Sequence, residues 1–477
     1  MPSHDLYIRQ GGKTGQNVRS TNNAGAFPGL LLVSLLGVYV LVMLGATTAV
    51  TDALATCTTW PTCDGRWIVP LSDPAAIAWG HRLAAAVVGM SLLATAIAAI
   101  QWSVGIRVKV LIAVGLTIYL LQVVVGAATV LQGGGGLLSG LHLGLGMALF
   151  GALVLAFAWS LEQLYPQESA IDSITTANEE HAEPAPIERS WRTVAGAYIQ
   201  MTKPRLMWLL CLVAAAGMAL AAGPTLQIST IIATLGAGVL AIGASGTFNH
   251  VLERDVDRRM KRTADRPLAT DLIPVRNAIV FGCILAVASI AIFAIFLNVL
   301  AAALGLAAIV FYSVVYTLIL KPNTVQNTVI GGFAGALPAL IGWAAVTGSI
   351  GWPAVLLALV IFCWTPAHFY NLAMAYRDDY ARGGFPMLPV ERGDRVARKH
   401  IIYYAGATLL VAAGLAAAGS LGWLYAAAAI VAGAGFFVAI KQLHEQRTRR
   451  AAFRTFHASN AYLGVLLVVV TIDALVL

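Results

Sequence analysis

The sequence predicts an all-α polytopic membrane protein with about thirteen transmembrane helices. Three observations carry that prediction. Apolar stretches of roughly 20 residues, each able to cross a hydrocarbon core of about 30 Å, recur from Phe27 to Leu477. Charged residues make up only 11% of the 477, where soluble domains carry about a quarter. Mean hydropathy is +0.79. An ordinary soluble globule is excluded, and the 46 glycines suit helices that pack closely in lipid.

Residues 1–26 are polar and read as a tail. The apolar segment after them exceeds the about 7 to 15 residues of a secretory h-region, so it reads as a first span. Hydropathy, with Gly, Pro and charge as punctuation, places spans at 27–50, 77–101, 108–131, 139–161, 206–223, 228–252, 275–297, 299–320, 327–348, 352–373, 401–419, 421–440 and 456–477. The stretch 162–200 has Glu179-Glu180, Pro184 and Pro186 and no sustained apolar period, and it reads as a flexible linker. It separates a four-helix part, 27–161, from a nine-helix part, 201–477.

The excess of 30 Lys+Arg over 22 Asp+Glu, net +8, has orientation as its simplest meaning. Arg9, Lys13, Arg19, Arg107, Lys109, Arg189, Arg192, Lys203 and Arg205, the run Arg258–Arg266, and the loops 374–400 and 441–455 all fall on one side when spans alternate. That side is the cytoplasm, the host is the cell membrane, the C-terminus lies outside, and the lipid bilayer rather than nucleic acid is the partner of the charge. Cys211, Cys283 and Cys363 sit in spans as small packing residues. Cys57 and Cys63 flank Trp60-Pro61 in an outer loop, where a disulfide or a free pair are both open.

Asn249, Glu253 and Asp257 follow one another at i, i+4 and i+8, within about 80° of arc on a continuing helix. Asp255 would point away unless the helix loosens. Crowded oxygens at a membrane face suit Mg²⁺, which takes one or two carboxylates and fills its shell with water and phosphate oxygens. The adjoining Arg258, Arg259, Lys261, Arg262 and Arg266 supply phosphate partners. A metal-bridged diphosphate site is the functional reading, and snorkelling interfacial charges are the structural one. A second polar set runs from Trp364 to His368 and Asn371, then through Arg377, Asp378 and Asp379. Asn371 and Asp379, eight apart, echo Asn249 and Asp257.

The segments TKPR at 202–205, NHVLERDVDRRMKRTADRPLA from Asn249, NTVIGGFAGALPALIGWAAVTGS from Asn327, WTPAHF from Trp364 and YRDDYARGGFPMLP from Tyr376 resemble the heme O synthases, protoheme IX farnesyltransferases of the UbiA prenyltransferase superfamily. The resemblance covers about 198–477. It implies a nine-helix UbiA-type fold in which two Mg²⁺ ions bind farnesyl diphosphate and a farnesyl group passes to a vinyl group of heme B, giving heme O. By motif position the metal candidates are Asn249, Glu253, Asp255, Asp257, Asp378 and Asp379. The diphosphate candidates are Lys203, Arg205, Arg262, Lys321 and Arg377. His368 is a candidate for heme contact or proton transfer, or a satisfied helix-end histidine. Glu253 departs from the Asp usual in that family. The rival readings are a UbiA-type enzyme acting on a quinone or lipid acceptor, and a heme carrier without covalent chemistry.

In the four-helix part His81 and His142 begin spans two and four. Two histidines at equal depth can ligate heme iron or hydrogen-bond between helices. TDALATCTTWPTCDGRWIVP, WGHR, QVVVGAATVLQGG and the His142 helix resemble one half of the heme A synthases. That implies heme ligation by His81 and His142, an outer Cys57/Cys63 pair, and partners such as heme A synthase or terminal oxidase assembly factors. A catalytic half of that family carries Glu where this chain has Ala78, so heme binding rather than heme A synthesis is implied.

Overall fold

The computed structural model describes residues 14–50, 56–70, 72–133, 136–166, 190–419 and 421–476. Among them every regular element is helical, and thirteen helices are long and apolar enough to cross a membrane. Two compact units divide the chain near Pro166.

The first unit holds α1 (Thr14–Val50) as far as Val42, with α2 (Ala76–Gln101), α3 (Ile106–Leu131) and α4 (Gly136–Leu164). Several polar groups inside these spans find partners on neighbouring helices, which offsets the cost of placing them in lipid. Ser34 on α1 bonds Ser91 and Thr95 of α2 at 2.7 and 2.9 Å. The Tyr119 hydroxyl donates to the Ala85 carbonyl at 2.7 Å. That approach needs Gly89, where a Cβ would lie 2.4 Å from the Tyr119 oxygen. Between α1 and α2, Cys57 and Cys63 are disulfide-bonded and buried. Arg82 donates to the carbonyls of Pro61, Thr62 and Cys57, pinning this loop over the start of α2.

The second unit begins inside the stretch read from sequence as linker. An amphipathic helix, α5 (Trp191–Met201), is capped by Ser190, whose hydroxyl accepts from the Thr193 N–H. It packs Ala197 and Met201 against Leu268, Ile273 and Ala278. The expected linker 162–200 therefore overlaps the end of α4 and all of α5 up to 200, and 167–189 lie outside the described residues. Then come α6 (Pro204–Ala222), α7 (Ile228–Asp257), α8 (Val275–Phe296), and α9 (Val299–Val310), which continues as a π-helix over Phe311–Leu320 into the short α10 (Lys321–Asn323). The remainder are α11 (Asn327–Thr347), α12 (Trp352–Ala375), α13 (Arg377–Arg382), α14 (Leu388–Ala418), α15 (Trp423–Gln446) and α16 (Arg449–Val476).

Helix number agrees with hydropathy, but helix ends at the basic face do not. Helix α14 starts at Leu388 and not 401, α16 at Arg449 and not 456, and α1 already at Thr14. Charged residues continue a helix beyond the hydrocarbon, so hydropathy marks the membrane boundary and not the helical one. The loop expected at 374–400 contains α13 and the first turns of α14, which kink at Gly393, φ 78°. Helix α12 breaks at Tyr376, so Asn371 and Asp379 share no face, and the echo of the first acidic set is absent.

The bundle of the second unit relies on backbone-to-backbone approach of α6 and α11. A Cβ at Gly217 would stand 2.4 Å from the Ala339 carbonyl oxygen, and one at Gly342 only 2.1 Å from that of Ala214. Small residues on both sides allow this contact. Gly342→Ala should therefore destabilise the protein by about 1–3 kcal/mol through overpacking, read as a lower thermal midpoint in detergent. Gly236→Ala, in open space, should leave that midpoint in place.

Candidate functional site

Three side chains of α7 form the centre of the site. Asn249, Glu253 and Asp257 are each at most 5% exposed and, as their spacing requires, occupy one face of the helix. Ionised carboxylates at that depth need partners. Two segments supply them, and a third serves Asn249. Lys321, at the end of the π-helix, donates to Glu253 Oε1 at 2.5 Å. Arg266, in the loop after α7, grips both oxygens of Asp257 at 2.8 Å and lies 3.8 Å from Glu253. Lys203, between α5 and α6, donates to Asn249 Oδ1 and, at 3.2 Å, to the Tyr312 hydroxyl.

Lys203 has φ 57°, the left-handed region that costs a side-chain-bearing residue about 1–2 kcal/mol. Pro204 after it disfavours the right-handed helical alternative, and the resulting sharp turn aims the lysine at α7. Loss of hydration pushes its ammonium down to about 8, against the pull of Glu253. Asn249 completes a chain of bonds: its Nδ2 donates to Thr317 Oγ1 at 3.1 Å, and Thr317 donates to the Tyr312 carbonyl at 2.8 Å.

Helix α13 closes the site from the other side. Asp379 accepts the backbone N–H groups of Lys261 at 2.8 Å and Arg262 at 3.1 Å, and also the Arg382 guanidinium. The Arg262 guanidinium donates to the Tyr380 hydroxyl at 3.1 Å and lies over the rings of Tyr376 and Tyr380. Burial pushes the Tyr380 phenol up, keeping it a hydroxyl. Met260, Tyr380, Phe385 and Met387 pack beneath, so the loop after α7 and the α13 segment form one body.

The candidates from sequence divide accordingly. Asn249, Glu253, Asp257, Lys203 and Lys321 are assembled, and Arg262 is held at the edge. Asp255 is turned away, 74% exposed, and pairs with Arg254 and Arg258 because it sits two residues off the Asn249 face. Asp378 and Arg205 are exposed, and Arg377 is half-buried. Asp379 is buried but committed to loop backbone. His368 is clamped between the rings of Trp364 and Phe456, each 4.2 Å away, and its Nδ1 bonds the Ser459 hydroxyl at 2.8 Å. That is the contact set of a packed histidine. Among the described residues, no group of three or more His, Cys, Asp and Glu side chains gathers to hold a metal. Arg266 was one of the run of basic residues read as phosphate partners, but its pairing with Asp257 was not foreseen, and Tyr312 and Thr317 were not singled out at all. The Arg266-Pro267 dipeptide lay in a quoted motif, whereas Tyr312 and Thr317 carried no signal within an apolar span.

In the first unit the rings of His81 and His142 stand 6.5 Å apart, centre to centre. Their Nδ1 atoms are buried without a partner among the described residues. Gly126 makes room, since a Cβ there would lie 2.9 Å from His142 Cε1. The Gln122 amide fixes the His142 segment by donating to its carbonyl at 2.7 Å.

Residues 209–461 match the UbiA prenyltransferase family, and residues 28–222 match the cytochrome oxidase assembly protein family. The chain is 55% identical, over 94% of its length and 99% of the relative's, to the protoheme IX farnesyltransferase of Haloarcula marismortui. It is 58% identical to protoheme IX farnesyltransferase 1 of Natronomonas pharaonis, covering 94% and 98%. With protoheme IX farnesyltransferase 1 of Saccharopolyspora erythraea it shares 44% identity over 62% of this chain and 95% of that one. A solved structure concerning digeranylgeranylglyceryl phosphate synthase superposes with TM-score 0.51 at 15% identity, over 59% of this chain and 99% of that chain, and so shares the fold.

The pairing of Arg266 with Asp257 gives a stability test. Arg266→Ala leaves a buried carboxylate unpaired and should cost about 3–5 kcal/mol, whereas Arg266→Ala with Asp257→Asn should recover much of it. Thermal unfolding of the two variants in detergent checks the difference.

Proposed function

The chain belongs to the UbiA prenyltransferase family, and from that premise we propose that it is a protoheme IX farnesyltransferase, converting heme B and farnesyl diphosphate to heme O and diphosphate. The observation that carries this reading at the level of chemistry is the α7 oxygen face with its three cations: Lys203, Arg266 and Lys321.

The cations are held beside the place where diphosphate charge must be met, and each is bonded to an oxygen it can exchange for a phosphate oxygen. When the C1–O bond of farnesyl diphosphate breaks, its electron pair leaves with the diphosphate. Lys203, Lys321, Arg266 and Arg262 stabilise that charge in a site with little water. The allylic cation is taken up by the π electrons of a heme vinyl group. Water adds to the resulting cation and loses a proton, giving the hydroxyethylfarnesyl side chain. Mg²⁺ suits the donors: Asn249, Glu253 and Asp257 offer hard oxygens, with diphosphate and water left to complete the shell. Once bound it would neutralise leaving-group charge. Asp379 is better suited to orienting the Lys261–Arg266 loop than to binding a metal, as its oxygens accept from that loop's amides. The basic end of the helices is assigned to the cytoplasm, in the cell membrane, by the positive-inside rule.

A second role rests on the histidine pair. Two imidazoles joined through one iron by bonds of about 2 Å have ring centres about 6 Å apart, near the 6.5 Å between His81 and His142. With their Nδ1 atoms unpartnered, these rings are not spent on interhelical hydrogen bonds. The first unit thus binds heme B with His81 and His142 as ligands.

Incubation with heme B, farnesyl diphosphate and Mg²⁺, followed by mass analysis, should reveal heme O, and Asp257→Ala should abolish it. Folded protein that makes no heme O would sink the proposal; Asp257→Ala with full activity would remove the acidic face from it. For the first unit, the purified protein should show a low-spin bis-histidine heme spectrum that His81→Ala and His142→Ala each remove.

A further inference from the structure

The span from Val299 to Asn323 changes its winding where it passes the site. From Phe311 to Leu320 it is a π-helix of 10 residues, a form that is usually a single turn and recurs at functional sites. The Lys321 N–H bonds back to the Tyr316 carbonyl, five residues earlier. The Thr317 hydroxyl reaches the Tyr312 carbonyl, also five back.

This winding has a geometric effect. At the α-helical 100° per residue, Tyr312 and Lys321 would project about 180° apart, with Thr317 about 140° from Tyr312. At the roughly 80° per residue of i→i+5 winding, all three gather within about 50°. Their contacts agree: Tyr312 meets Lys203, Thr317 meets Asn249, and Lys321 meets Glu253.

We propose that Tyr312 and Thr317, brought to this face by the π-helix, are positioning residues that hold Lys203 and Asn249 in register for the diphosphate. The inference rests on the prenyltransfer reading and adds to it two uncharged residues that do no chemistry themselves. Thr317 acts on the orientation of an amide. By accepting from Asn249 Nδ2 it keeps Oδ1 turned to the Lys203 ammonium; the reversed amide would present an NH₂ to a cation. Tyr312 supplies the ammonium with a second acceptor, so Lys203 is fixed from two sides. Both are buried or partly buried and reached by no charged partner other than Lys203 in these bonds.

The test uses the full chain in detergent with Mg²⁺, heme B and radiolabelled farnesyl diphosphate. Thr317→Val keeps the shape and removes the hydroxyl; it should raise KM for farnesyl diphosphate about tenfold with kcat changed much less. Thr317→Ser, which restores the hydroxyl, should recover most of that loss, and Tyr312→Phe should raise KM in the same way. In an Asn249→Ala background, where binding replaces turnover as the readout, Thr317→Val should add nothing to the Kd. A role in helix packing alone predicts the reverse: an equal penalty in both backgrounds and no rescue by serine. Either result overturns the inference, as does a Thr317→Val protein with parental KM. A parent that makes no heme O overturns the prenyltransfer reading as well, so the two failures are distinguishable.

Discussion

The basic end of the second unit is organised by one electrostatic constraint: two carboxylates and an amide oxygen are buried on one face of α7, and the charges must be paired and the amide hydrogen-bonded there. No single neighbouring element does so. Lys203 arrives from the turn before α6, Arg266 from the loop after α7, and Lys321 from the end of the π-helix. Because removing one partner from a buried pair costs several kcal/mol, each of these segments is held in place by the same charges it neutralises. The arrangement suits a visiting polyanion, which offers the cations new oxygens, while a divalent cation can take over the carboxylates.

How much of this was legible depended on whether the signal was local. The i, i+4, i+8 spacing of Asn249, Glu253 and Asp257 is a property of one helix, and the structure keeps it because α7 runs unbroken to Asp257. Span number was legible for the same reason. What failed was long-range. Asp379 reads as one more acid in a motif, yet its oxygens bond the backbone of a loop 117 and 118 residues away. Tyr312 and Thr317 look like ordinary span residues because their placement depends on five-residue winding, which no hydropathy period reports. Arg205, one residue beyond the turn that aims Lys203, lands outside, since a helix rotates successive side chains by about 100°.

The first unit follows a different logic. Several of its buried polar atoms are neutral and are settled by short interhelical bonds, such as Ser34 to Thr95 and Tyr119 to Ala85. Against that background His81 and His142, with Gln122 Oε1 on α3, carry buried polar atoms that have no partner among the described residues. Polar atoms without partners are expensive in hydrocarbon surroundings, so the exception is better evidence of a guest than the histidines' presence in the sequence.

The bond from Asp379 to the loop after α7 has an evolutionary consequence. Its acceptors engage main-chain amides and ignore what Lys261 and Arg262 carry as side chains. Any residue except proline supplies the same N–H groups. The side chain at position 261 is therefore free to change while the fastening persists, whereas Arg262 is held to its place by the Tyr380 hydroxyl and the rings of Tyr376 and Tyr380. Main-chain fastening thus fixes the path of the loop without fixing the side chain at its exposed tip.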